Sequence, residues 1–441
     1  MLAADLNLNN HLTMHTPNPC SRRNFLKTGA ALSAASVFAP TTGVFAAGSD
    51  TMRIALIGCG TRGTGAAKDC LKSSPGVEIV ALADLFQDKL DKALESLKNE
   101  LPAQVKIKPD NAFLGFDAYK TVLAMSEVNL VLLATPPAFR PEMVRATIEA
   151  GKHIFMEKPG AVDPVGIRSL MQSADLADQR KLSIVGGTQQ RYIPHYLEIL
   201  KRIHGGDIGP IVSGQSYWNW GSSDWHFEKR KPEWSDVEWQ IRCWPYFVWL
   251  SGDHIVEQHL HNMDVINWGL GAHPVECLGF GGRQARTAPD YGNIYDHFTI
   301  DYVYPEGVRV MSMCSQVKGS HTRVGERFVG TRGTAWMNRN EGWIEGGKPF
   351  KWTAAVETGL VAEHAALIKS IRDRQPVNEA RRLAESTLTV IMGRMAAYTG
   401  KVVTWDFARN QSQIDLRPKQ KLELGPLPVP PVAIPGQGPL I

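Results

Sequence analysis

The sequence predicts an α/β protein whose N-terminal part is a parallel sheet wound with helices. Two observations carry that reading: a short apolar run ends in a glycine-rich turn that opens a helical pattern near residue 60, and strand then alternates with helix to about residue 160. An antiparallel hairpin pattern near residue 300 gives the later part of the chain a different build.

The chain has 441 residues, 43% apolar and 21% charged, which suffices for two cores and excludes a wholly disordered or collagen-like protein. Its 48 basic and 44 acidic residues leave +4, and setting aside Arg22, Arg23, Lys27 and Asp5 of the first 46 residues leaves +2. So neutral a body lacks the basic field that holds nucleic acid or an anionic membrane, and small neutral partners fit it better. Cys20, Cys59, Cys70, Cys243, Cys277 and Cys314 form no C-x-x-C pair, so scattered thiols are expected rather than a disulfide framework or a zinc site.

Residues 1–46 read as an address rather than as part of the fold. Ser21-Arg22-Arg23-Asn24-Phe25-Leu26-Lys27 precedes an Ala-rich run from Thr28 to Ala39, then Pro40 and a cleavage-like Val44-Phe45-Ala46. This resembles a twin-arginine export signal, and the export machinery is then a partner. The apolar run is about a dozen residues where a membrane span needs about 20. No permanent membrane anchor is expected, and the protein is expected to be exported to a periplasmic or other extracytoplasmic space.

The first strand is Met52–Ile57, followed by Gly58-Cys59-Gly60-Thr61-Arg62-Gly63 and a helix with Ala66, Ala67, Cys70 and Leu71 at helical spacing. Gly58 permits the tight turn, Gly60 lets the backbone approach a pyrophosphate, and Gly63 lets the helix sit close to the strand. The next strand, Glu78–Ala83, ends in Asp84, 26 residues after Gly58. A carboxylate there can accept both ribose hydroxyls of NAD and repels a 2′-phosphate; the alternative is a helix-capping aspartate. Val128–Ala134 then runs into Thr135-Pro136-Pro137 and a helix over 141–150, and His153–Met156 leads to Glu157-Lys158-Pro159. In such a sheet ligands bind at the carboxyl ends of the strands, where Thr135 and Lys158 lie.

Those motifs, joined by Glu257-x-His259-x-His261-x-x-Asp264, resemble the glucose-fructose oxidoreductase, inositol dehydrogenase and MocA (Gfo/Idh/MocA) family over about residues 51 to 405. The resemblance implies an N-terminal Rossmann doubly wound parallel sheet and a C-terminal α/β domain with an open, mainly antiparallel sheet that forms a homo-oligomer interface in relatives. The expected division is 51–175 for NAD(P) binding, 176–405 for substrate and oligomerisation, and 406–441 for an extended tail. It makes Gly58, Gly60, Thr61, Arg62, Gly63, Asp84, Thr135, Pro136, Glu157 and Lys158 the cofactor-binding set, with NAD expected rather than NADP. By resemblance His261 is the general base on a sugar hydroxyl, Lys158 bonds the same oxygen and Asp264 a neighbouring one. Glu257 and His259 replace an aspartate and a glycine of the family pattern.

Glu257, His261 and Asp264 stand at i, i+4 and i+7, so a helix from Glu257 to Trp268 would put all three on one face, with Glu257 able to orient the imidazole. A base near its operating pH and a cation beside the forming carbonyl both suit oxidation of a carbinol; otherwise His261 is a helix histidine bonded to Glu257 and nothing more. His254, His259 and His261 invite a metal reading, but on a helix His259 and His261 point about 200° apart, and no metal is expected. Seven of the twelve tryptophans fall in 218–249 without regular spacing. That implies a loop-rich insertion whose rings either anchor a loop or stack on sugar. Phe298–Tyr304 and Val308–Met313 form a hairpin, and Glu363–Asp373 and Ala380–Thr399 read as helices.

The chain reads as an exported NAD(P)-dependent oxidoreductase acting on a hydroxyl of a sugar, glycoside or cyclitol, with tightly held cofactor. Two alternatives stay open. One is an NAD-dependent glycoside hydrolase working by transient oxidation, elimination, hydration and re-reduction, and the other a non-catalytic sugar or dinucleotide sensor.

Overall fold

Strand β1 (Met52–Ile57) is buried at every position but Arg53, as a central parallel strand covered on both faces must be. The computed structural model describes residues 51–221 and 224–440, so the twin-arginine segment lies outside the described residues. Around β1 assemble β2 (Val77–Asp84), β3 (Ala112–Leu114), β4 (Leu130–Leu133), β5 (His153–Met156) and β6 (Ile184–Gly186), all parallel, in the order β3-β2-β1-β4-β5-β6. The strand order reverses between β1 and β4, which opens a crevice at their carboxyl ends.

The second sheet holds β7 (Ile211–Asn219), β8 (Glu276–Gly282), β9 (His297–Val303), β10 (Arg309–Ser315), β11 (Arg323–Gly330), β12 (Gly333–Met337), β13 (Gly342–Gly346), β14 (Phe350–Lys351) and β15 (Val403–Thr404). Its order is β14-β13-β12-β11-β7-β10-β9-β8-β15, and only the β7–β10 pair is parallel. The expected hairpin is β9–β10, joined through Pro305–Gly307. The fold is therefore the parallel doubly wound sheet plus open, mainly antiparallel sheet that the family resemblance implies.

Helix Ala380–Thr399 is buried almost all round because it is packed from several sides, against helices Pro164–Arg180 and Leu260–Leu270 and against β8 and β9. Helix Leu360–Arg372 turns Leu367 and Ile368 into the same core as Ile54, Leu56 and Leu132 of the parallel sheet. Each of these two side chains contributes about 1.5–3 kcal/mol by burial, so the late part of the chain helps to hold the first sheet together. The five described cysteines are free and buried. No helix among the described residues is long and apolar enough to cross a membrane.

Candidate active site

The glycine turn is shaped by close approach. Gly58 has φ +96°, and a Cβ there would lie 2.6 Å from the Ala134 carbonyl carbon; a Cβ on Gly63 would lie 1.9 Å from the Gly58 oxygen. A Cβ on Gly60 would meet nothing within 4 Å. It would project into a groove that Gly60, Thr61, Asp84, Phe86, Thr135 and Pro136 help to line. Helix Thr61–Ser73 begins here, with its free N–H groups at the groove. Asp84 accepts Cys59 N–H at 2.6 Å and Phe86 N–H at 2.9 Å, so it ties the glycine turn to the β2 end and keeps lone pairs for a ribose. Burial raises its pKa against those backbone bonds. These residues fit a dinucleotide: open backbone where a pyrophosphate would pass, and a carboxylate where a ribose would rest.

The groove runs into a cleft of about 480 Å³ between the two sheets. Lys158, Glu257 and His261 line it, as do Arg62, Thr135 and Glu157. Lys158 Nζ donates to the Glu257 carbonyl and carboxylate, so Glu257 fixes the lysine rather than the imidazole. His261 stacks on Trp218, with ring centres 5.8 Å apart and planes at 20°. Its Nδ1 is buried without a partner, which leaves Nε2 as the nitrogen available to the cleft. Burial first, and then Lys158, Arg339 and Arg62, hold the His261 pKa well below the usual histidine range, so the ring is neutral at pH 7. A neutral imidazole and an ammonium group thus share one cleft.

The single helix expected from Glu257 to Trp268 is broken. His254–Glu257 and Leu260–Leu270 are separate helices, and the N–H of His259 reaches back to the His254 carbonyl at 3.3 Å. Two side chains pin the junction: His259 Nε2 meets Ser312 Oγ at 2.7 Å, and Gln258 accepts from Gln316 at 2.8 Å. The break displaces Glu257 from that helix; Asp264 lies in the same helix as His261 but, unlike it, does not line the cleft. It is wholly buried and accepts from Arg191 Nε at 2.7 Å, Arg382 at 3.1 Å and Ser386 at 2.6 Å. Burial raises its pKa, but the two guanidinium groups outweigh that and lower it to about 2. With its oxygens so engaged, Asp264 positions elements rather than touching substrate. Among the described residues no group of His, Cys, Asp and Glu is arranged to hold a metal ion.

Arg62 and Glu157 bond to each other, with Arg62 Nη1 also 3.3 Å from Asp69, while Arg62 Nη2 is buried without a hydrogen-bond partner, 3.8 Å from Glu363. The tryptophans of 218–249 divide. Trp234, Trp239 and Trp249 are core residues, whereas Trp218, Trp220, Trp225 and Trp244 line the cleft. His226 and Trp244 line both the groove and the cleft. Three cleft residues carry no sequence signal of their own. Gln189 follows β6, and Arg339 lies in the β12–β13 turn. Arg140 is buried and donates to the Thr135 and Pro159 carbonyls, clamping two strand-end loops together; burial lowers its pKa to about 10. Arg140 stands four residues after Pro136, within the motif region, which was the one available hint.

Fold, glycine turn and groove define an oxidoreductase-type NAD-binding Rossmann domain, and comparison with known proteins agrees. Residues 52–184 match the GFO_IDH_MocA model, an oxidoreductase family with NAD-binding Rossmann fold, and residues 19–39 match the twin-arginine translocation pathway signal sequence. The chain carries the NAD-binding domain of that family together with an export signal. It is 30% identical over 175 residues to a glycosyl hydrolase family 109 protein of Streptomyces coelicolor, covering 39% of this chain and 35% of that one. A protein of the same name from Shewanella pealeana is 29% identical over 216 residues, 44% of this chain and 45% of that one. The chain therefore spans less than half the length of these curated relatives. Aldose-aldose oxidoreductase from Caulobacter crescentus superposes with a TM-score of 0.62 at 16% identity, over 80% of this chain and 99% of that one, a likeness of fold.

Proposed function

We propose that this protein is an exported NAD(P)-dependent oxidoreductase acting on a hydroxyl of a sugar, glycoside or cyclitol, with NAD preferred and tightly held. The observation that carries the reading is the convergence of Lys158 and a neutral His261 in a cleft continuous with the groove at the glycine turn. Gly58, Gly60, Thr61, Arg62, Gly63, Asp84, Thr135, Pro136 and Glu157 would hold the dinucleotide, which when bound supplies the redox chemistry. His261 Nε2 takes the proton from the reacting hydroxyl. Lys158 Nζ, held by Glu257, stabilises the charge that develops on the same oxygen. Trp218, Trp220, Trp225 and Trp244 exclude water and offer faces to a sugar ring.

A second reading, net hydrolysis of a glycoside with the dinucleotide unchanged at the end, is favoured by the name of the curated relatives. The same two residues serve it. The test is turnover of a panel of glycosides and cyclitols, following both ketone and released aglycone. Lys158→Met and His261→Ala should each lower kcat by about 10²- to 10⁴-fold while dinucleotide still binds. Near-normal turnover in either variant removes that residue from the chemistry.

A further inference from the structure

We propose that the sugar taken by this cleft carries an anionic substituent, a carboxylate or a sulfate ester, and that Arg339 receives it. This rests on the sugar-binding part of the reading above, not on the redox part. Whole-chain charge is near neutral, but the cleft is not. Arg62, Arg140, Lys158 and Arg339 line it against only two carboxylates, Glu157 and Glu257. Those carboxylates are engaged by Arg62 and Lys158, and Arg140 is bonded to backbone carbonyls beside the glycine-turn end.

Arg339 is different in place and in partners. It enters from the β12–β13 turn of the second sheet, and its guanidinium lies 5.6 Å from the centre of the Trp218 ring, the same ring that stacks on His261. Among the described residues it has no hydrogen-bond acceptor and no ion-pair partner. Glu326 on the neighbouring strand β11 does not neutralise it: that carboxyl is buried, bonded to Tyr196 and Asn262, and pushed up by burial to about 8. A guanidinium lying against an aromatic face keeps its N–H fork in plane and free, the geometry that suits two oxygens of a carboxylate or sulfate. Arg339 and His261 flank the same indole and line the same cleft, so a sugar whose hydroxyl meets His261 would be expected to place a substituent elsewhere on its ring toward Arg339.

The experiment uses the full-length exported protein loaded with NAD and reads the fluorescence of the cleft tryptophans. Methyl glucuronide, methyl glucoside 6-sulfate and methyl glucoside are titrated, with the galacto forms alongside. In the wild type the uronide or the sulfate should bind about tenfold or more tightly than its neutral counterpart. The preference should shrink with added salt and largely disappear in Arg339→Gln, with thermal unfolding and NAD binding as folding controls. Which anionic probe wins identifies the substituent. Equal or tighter binding of the neutral glycosides, no binding of either anionic probe, or a preference that survives in Arg339→Gln overturns the proposal. NAD-dependent turnover of neutral glycosides that ignores Arg339→Gln sinks this inference and leaves the oxidoreductase standing; an anionic preference without any turnover does the reverse.

Discussion

Arg242, in helix Asp236–Arg242 of the tryptophan-rich segment, grips Asp88 at the start of helix Gln87–Glu100, with contacts of 3.0 and 3.4 Å, and lays its guanidinium 3.9 Å from the centre of the Phe86 ring. Partial burial would raise the Asp88 pKa, yet the Arg242 hydrogen bond and charge outweigh it and hold it low. Ile241, Arg242 and Trp244 line the same groove as Asp84, so on the proposed function this segment borders the bound dinucleotide and is expected to slow its release. Arg242→Ala should therefore speed NAD dissociation by roughly five- to thirtyfold, the combined worth of a partly exposed ion pair and a cation–π contact. Trapping of released NAD after dilution measures it. An unchanged off-rate would mean that the segment is no barrier.

Asp84 is the proposed determinant of cofactor choice. A 2′-phosphate would meet a carboxylate already fixed by Cys59 and Phe86 N–H groups, so NAD should bind more tightly than NADP by about tenfold or more. Asp84→Ala should narrow the gap. Because burial raises the Asp84 pKa, the wild-type preference should also weaken as pH falls and the carboxyl takes up a proton. Tighter binding of NADP by the wild type would defeat the assignment.

The pH profile tests the base. A histidine whose pKa is depressed stays neutral until the pH falls below that depressed value, so the acid limb of kcat/KM should lie well under pH 6.5 rather than near it. Burial is the main cause and Lys158 the next, so Lys158→Met should move the limb to higher pH while lowering the plateau. Arg339→Gln should move it less. A limb near 6.5 in the wild type, unmoved in Lys158→Met, would point to a different base.

Much of this site was legible because it is local. The glycine turn, Asp84, Thr135 and Lys158 each sit at a strand end, and strand ends are written in short apolar runs. The expected continuation of one helix from Glu257 to His261 and Asp264 was not, because the break at Gln258 and His259 depends on Ser312 and Gln316, more than fifty residues downstream. Helical spacing cannot register a tertiary hydrogen bond. Nor could it show that Arg191 and Arg382 converge on Asp264, or that Arg339 arrives beside Trp218 from a turn of the second sheet. The tryptophan-rich segment divided between core and cleft for the same reason: irregular spacing records no face.

Self-association is expected through the open face of the second sheet, where β8 leaves Leu278 41% and Phe280 60% exposed beside Thr299 and Asp301 of β9. Apolar side chains on such a face are costly unless covered, and a second copy of the chain is the proposed cover. Light scattering should find an oligomer, and the double substitution Leu278→Glu with Phe280→Glu should shift it toward monomer. A wild-type monomer at micromolar concentration would end this proposal.

Export and cofactor retention bear on one another. The twin-arginine signal at residues 19–39 directs the chain to a compartment without a maintained nicotinamide pool, so a protein releasing reduced cofactor at every turnover would soon be empty. A closed cycle avoids this, whether a second substrate or the same molecule restores the oxidised cofactor, and it requires slow release. The walls supplied by His226 and Trp244 across both groove and cleft, latched through Arg242 and Asp88, suit that requirement. The exported protein should purify with close to one dinucleotide per chain and turn over glycosides without consuming added NAD mole for mole. Denaturing the isolated protein, quantifying what it releases and following the absorbance of added NAD during turnover decide the matter. An empty protein that converts one NAD to NADH per product would replace the closed cycle with a simple dehydrogenase.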